Sequence, residues 1–178
     1  MPRKWAEKIL GQTVEVRASS ATWIESGGWS GRRQRMFIVL AVTSYPEVYV
    51  QLTAARVDEQ LAAYAALAAA VKGNARAEAA VAAFAPGYFN AMLLALDHHF
   101  MHRMRGAEGK DGNPLNEVRM LSDSIMEHDG VLRENKTIKY KAEKAVAGIA
   151  VGQAIALDAE TFGRLARAYV AEMGKRFP

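Results

Sequence analysis

The chain predicts a mainly α protein, a helical bundle with a small β component. Apolar residues recur at helical spacing from residue 47 onward, and alanine, the strongest helix former, crowds the same stretches. Asn113-Pro114 and Asp158 add N-terminal helix signals where new helices should begin.

Residues 5–10 suit one short helix ending at Gly11, and residues 12–17 alternate polar and apolar like a half-exposed strand. A loop at 26–31 follows, then a basic step, Arg32-Arg33-Gln34-Arg35. The run 36–42 is apolar on all faces, so a buried strand and a buried helix both satisfy it. Its Val and Ile content and short length favour the strand.

Residues 47–72 read as a long helix with Val57, Leu61, Tyr64, Ala68 and Val71 on one face, stopped by Gly73-Asn74. A shorter helix is expected over 76–84, closed by Pro86, because the residue before proline avoids helical geometry. Residues 87–105 then form a histidine helix, with Phe89, Met92, Leu93, Leu96, Phe100 and Met104 on its apolar stripe. Residues 106–113 read as a polar loop. The next helix starts at the Asn113 cap with Pro114 in its first turn, buries Leu115, Val118, Leu121 and Ile125, and stops near Asp129-Gly130. Residues 131–132 and 137–140 read as extended, residues 148–157 alternate around a central glycine as two short strands or a bent one would, and Asp158 caps a last helix reaching about Arg176.

A length of 178 residues fits a single domain over 1–178, and 51% hydrophobic with 24% charged residues is ordinary globular composition. The absence of cysteine excludes disulfides, thiolate metal sites and a cysteine nucleophile. A charge of +4 favours anions without reaching the excess of a dedicated nucleic-acid binder. No signal peptide is legible and the run 36–42 is too short to span a bilayer, so no membrane partner and a cytoplasmic location are expected.

Chemistry concentrates in Asp97-His98-His99-Phe100-Met101-His102-Arg103. On a continuous helix His98 and His102 lie one turn apart, on a face shared with Ala91 and Ala95, where they form a candidate pair of metal ligands. An antiparallel return of the following helix makes Glu117 the best placed third ligand, for Zn, Mn or Fe. The alternative is polar residues at a helix end, where imidazolium suits the negative pole of the dipole. Lys110 and Asn113 form a candidate anion site at the capped helix start with Arg105 nearby, although the glycine loop lacks the spacing of a phosphate loop. Trp29 beside Arg32, Arg33 and Arg35 combines stacking with phosphate-seeking guanidiniums, but nothing else supports nucleic acid. Ser122 and Ser124 lack the glycine elbow of an activated nucleophile.

The block Gly109-Lys110-Asp111-Gly112-Asn113-Pro114-Leu115-Asn116-Glu117-Val118-Arg119, with 131–135 and the Val151-Gly152 turn, resembles a group of small uncharacterised proteins from high-GC bacteria. The resemblance covers roughly the C-terminal half and implies no activity and no catalytic residues. Sequence alone therefore leaves three expectations. The first is a bundle binding a divalent metal or small anion through His98, His102 and Glu117. The others are a non-enzymatic structural or interaction subunit, with the Ala-rich helices pairing as a homo-oligomer, and a nucleic-acid-associated protein.

Overall fold

Pro46 sets the start of the first helix, α1 (Glu47–Ala70), by fixing an extended backbone immediately before it. A computed structural model describes residues 41–178, all of which belong to one unit, Val39–Pro178, separate from Met1–Ile38. The expected elements at 5–10 and 12–17, the Trp29 and arginine cluster, and most of the run 36–42 lie outside the described residues. At the edge of that run, Val42 forms a lone parallel bridge with Arg103. The Val42 N–H donates to the His102 carbonyl at 2.8 Å, and the Met104 N–H donates to the Val42 carbonyl at 2.8 Å.

The second helix, α2 (Ala75–His99), corrects two expectations. Asn74 caps it by accepting from the Ala77 N–H at 3.1 Å, and it runs unbroken through Pro86. Proline removes one intrahelical donor, but the carbonyl it frees belongs to the exposed Ala82, which water can serve. Continuity also keeps Ala85, Phe89, Leu93 and Leu96 on one buried face, and that burial outweighs the local penalty. At its other end the helix stops at His99, so the expected histidine helix over 87–105 is cut six residues short.

A single turn, α3 (Arg105–Glu108), follows within what reads as loop in the sequence. Helix α4 (Pro114–Glu127) starts as expected, with the Asn113 side chain accepting from Leu115 N–H at 2.9 Å and Asn116 N–H at 3.3 Å. Helix α5 (Ala159–Arg176) begins where Asp158 accepts from the Thr161 N–H at 2.7 Å. Its face of Phe162, Leu165, Ala166, Tyr169 and Met173 is buried against α1, α2 and α4.

Mainly α is the architecture, and of the expected small β component the part at 131–157 is reduced to a bridge. Among the described residues there is no sheet, and 131–157 contributes only an isolated antiparallel bridge between Val131 and Ala154 plus a short 3-10 turn, Ala142–Lys144. Helix side chains take the part a neighbouring strand would play. Asn90 on α2 donates to the Ile155 carbonyl at 2.8 Å and accepts from the Leu157 N–H at 3.3 Å, while Ser124 Oγ accepts from the Arg133 N–H at 3.0 Å. Residues 130–132 and 152–155 still pair through three backbone hydrogen bonds, Leu132 N–H to the Gln153 carbonyl, Gly152 N–H to the Leu132 carbonyl and Ile155 N–H to the Gly130 carbonyl, and the helices satisfy groups beyond that short ladder.

Pro86→Ala restores one backbone donor to α2. It should raise unfolding stability by about 1–3 kcal/mol in urea denaturation with the fold unchanged. An unchanged or lower midpoint would show that the helix is built around its proline.

Candidate functional site

The three expected metal ligands do not meet. His98 and His102 are both exposed, and the helix ends between them, so they no longer share a face one turn apart. The His102 carbonyl, not its ring, makes a fixed contact, through Val42. His99 is the histidine the fold engages. Tyr49 Oη donates to its carbonyl at 2.9 Å and lies 3.3 Å from its Nδ1. Burial, with Arg56 and His98 nearby, pulls its pKa below the usual histidine range.

Glu117 turns away from the histidines into the protein. It is 1% exposed, and its two carboxylate oxygens accept the Val146 and Ala147 N–H groups at 2.8 Å each. Helix α4 packs against α2, but its rotation aims this side chain at the irregular segment. Among the described residues no group of three or more His, Asp or Glu side chains is arranged to hold a metal ion.

The anion site at the α4 start is filled from within. Asn113 takes the first free N–H groups, the Gly112 N–H donates to Asn116 Oδ1 at 3.1 Å, and the Asp111 carboxylate receives Asn113 Nδ2. Arg176 reaches Asp111 at 2.8 Å, so the local negative charge already has its cation. Lys110 is exposed and contributes its carbonyl, which accepts from the Lys139 N–H at 2.9 Å. Gly112 has φ +81°, and a Cβ there would stand 2.6 Å from the Lys139 carbonyl. The glycine loop is thus a packing device.

Sequence reasoning missed the principal polar cluster. Glu108, wholly buried, accepts from Arg105 Nη1 and Arg119 Nη1 at 3.1 Å each and lies 3.4 Å from Arg103 Nη2. Arg103, also buried, donates to the Phe100 carbonyl at 3.1 Å and sits 2.8 Å from Asp97 Oδ1 without hydrogen-bond geometry. Burial opposes its charge, but Tyr169, Asp97 and Glu108 together hold its pKa above the usual arginine value. Its guanidinium lies 5.7 Å from the centre of the Tyr169 ring. The Tyr169 hydroxyl is buried with no hydrogen-bond partner, and burial pushes its pKa up. The alternating charges of Asp97, Arg103, Arg105 and Glu108 were the available signal. With the central groups sealed from solvent, the cluster ties chain segments together and offers no substrate an approach.

One long exposed stretch is largely apolar. No residue from Asp58 to Phe84 is buried. This arm comprises the second half of α1 and the first third of α2, with no charge in residues 61–71 or 79–84. Leu67 is 45% and Phe84 54% exposed. Helix α5 begins where a Cβ on Gly163 would touch Leu61 and where Phe162 meets Phe89 at 5.6 Å between ring centres, so it covers only the base of the arm. By length and composition α2 is apolar enough to cross a membrane, and only 22% of its most apolar stretch is buried. Comparison with family models, with curated proteins and with solved structures finds no match to this chain.

Glu108→Ala strands Arg103 in the interior and removes the acceptor of Arg119. A loss of about 3–5 kcal/mol in chemical denaturation is expected, far more than for Arg105→Ala at the exposed end. Glu117 gives a pH signature. Burial raises its pKa above the ordinary 4.5 despite the two N–H donors. The folded state therefore holds this proton more tightly than the unfolded one. The stability of the wild type relative to Glu117→Gln should be greatest below the ordinary glutamate range, fall as pH rises toward the raised value, and then level off. Parallel pH profiles for the two proteins would contradict this.

Proposed function

We propose that this protein is a non-enzymatic interaction subunit whose binding surface is the helical arm formed by α1 and α2. One observation carries the reading. A two-helix arm of 27 consecutive residues without a buried member, and without a charge along most of its length, is a helix pair still lacking the layer that would cover it.

The placement of polar groups supports the same reading. Glu117 is engaged by backbone N–H groups and Glu108 by arginines, so neither is free to serve as a ligand or proton carrier. Apolar patches of this kind on soluble proteins mark association surfaces, and the alanines that dominate the arm suit close helix packing.

A photo-crosslinking amino acid at Ala66 or Ala83, both exposed, tests the reading in living cells against a control at exposed Glu134. Adducts of one discrete mass should form from the two arm positions, not from the control, and should vanish when Leu67→Glu is added. Arm positions giving no discrete adduct would refute an interaction role.

A further inference from the structure

We propose that the occupant of the arm is a second copy of this chain, docked antiparallel so that two arms close into a four-helix bundle. The proposal rests on the interaction reading above and names its partner.

Each arm helix has two apolar seams, and only one is used. On α1, Val57, Leu61 and Tyr64 face the chain's own core, Tyr64 packing on Phe89 at 4.8 Å between ring centres. The opposite side carries Leu52, Ala55, Glu59, Ala62, Ala66 and Ala69, alternating steps of three and four residues, every one of them exposed. That spacing is the seam of a helix packed lengthwise on another helix. On α2 the exposed Ala80, Ala83, Gly87 and Ala91 form a similar line of small side chains. Such surfaces admit a neighbouring backbone at short distance, and a second arm presents two helices of matching length and matching apolar seams. Lipid is a poorer fit. The uncharged part of α1, residues 61–70, is about 15 Å long, roughly half the hydrocarbon thickness of a bilayer, and the longer uncharged run of α2, residues 79–96, about 27 Å, has Ala85, Phe89, Leu93 and Leu96 already buried in the chain's own core.

Charge sets the direction. The base of the arm carries Asp58 and Glu59 with the cations Arg56 and, on α5, Arg167 beside them, and of these four only Glu59 belongs to the outward seam; the tip carries Lys72 and Arg76. Glu78, also near the tip, is committed to the Gly73 N–H at 2.7 Å. Among the described residues no ion pair involves Glu59, Lys72 or Arg76, and Asp58 reaches Arg167 only at 4.0 Å between two exposed side chains. Antiparallel docking lays the basic tip of each copy on Glu59 of the other, and a two-fold axis makes that match twice. Parallel docking sets like charges together. Glu59 lies on the outward seam, where an unmatched carboxylate would oppose association.

The test is sedimentation equilibrium of the purified full chain. Wild type should be a dimer, and Ala66→Glu a monomer with unchanged far-ultraviolet circular dichroism, since no buried side chain is touched. Glu59→Lys alone, or Lys72→Glu with Arg76→Glu, should weaken the dimer on the order of tenfold. All three changes in one chain should restore it. A monomeric wild type, a dimer indifferent to Ala66→Glu, or a triple variant no tighter than its parents would overturn the proposal. A monomer that floats with neutral phosphatidylcholine vesicles would do so in favour of lipid. A monomer in solution that still gives arm adducts of a different protein in cells would sink self-pairing alone, whereas loss of all arm adducts would sink the interaction reading itself.

Discussion

The Glu108 carboxylate is the point on which the described structure turns. It is wholly buried and touched by three arginines, one from its own turn, one just after α2 and one from α4. Removing these charges from water is expensive, and their attraction recovers the cost only while the geometry is right. The cluster therefore selects one arrangement of the chain between residues 97 and 119. Arg103 extends the selection to α5 through the face of Tyr169. It also fixes the reversal at Phe100, whose ring packs on Tyr45 at 5.0 Å and on Tyr49 at 5.5 Å between centres.

A second device follows from the same economy of buried polar groups. Residues 128–158 form no regular element beyond one 3-10 turn, yet Leu132, Ile138, Ile155 and Leu157 are buried. Buried backbone must find partners, and the helices lend them: Asn90 at one end, Ser124 near the turn after α4, Glu117 at Val146 and Ala147. Tyr140 closes the segment on itself by donating to the Ile149 carbonyl at 2.6 Å. Glu117 is thus a structural anion, and its ionisation is tolerated because two N–H dipoles converge on it.

Helix positions were legible in the sequence wherever local chemistry decides them. Asn113 and Asp158 cap the helices assigned to them, and the apolar stripe of α5 is buried, whereas that of α1 is buried only at Val57. Local rules failed at Pro86, where a continuous buried face outweighed the loss of one hydrogen bond, and at His99, where the end of α2 is set by the Arg103 and Glu108 cluster from the next segment. The histidine site failed for the same reason, since it required the helix to continue three residues further. Alternation at 148–157 matches the burial of Ile155 and Leu157 but not the exposed Val151, and it could not reveal that helix side chains would serve much of the backbone. Whether a carboxylate such as Glu117 faces a histidine or a backbone loop depends on helix rotation, which spacing within one helix does not contain.

The contrast among the helices carries the functional argument furthest. On α5 the apolar face is the buried one, and on α4 the buried side combines apolar residues with Asn116, Glu117, Ser122 and Ser124, most of them hydrogen-bonded within the fold; each helix is covered as it stands. On α1 and α2 apolar residues are not confined to the covered side, because alanine occupies the side away from the core as well as the side toward it. Alanine stabilises a helix without help from packing, which lets the arm persist beyond α5. Intrinsic propensity explains why the arm is helical but not why its outer face lacks charge, since Lys and Glu are nearly as good helix formers and far more soluble. An outer surface that forgoes charge across two adjacent helices, while keeping Glu59 at one end and Lys72 and Arg76 at the other, has the composition of a contact whose other half is built the same way.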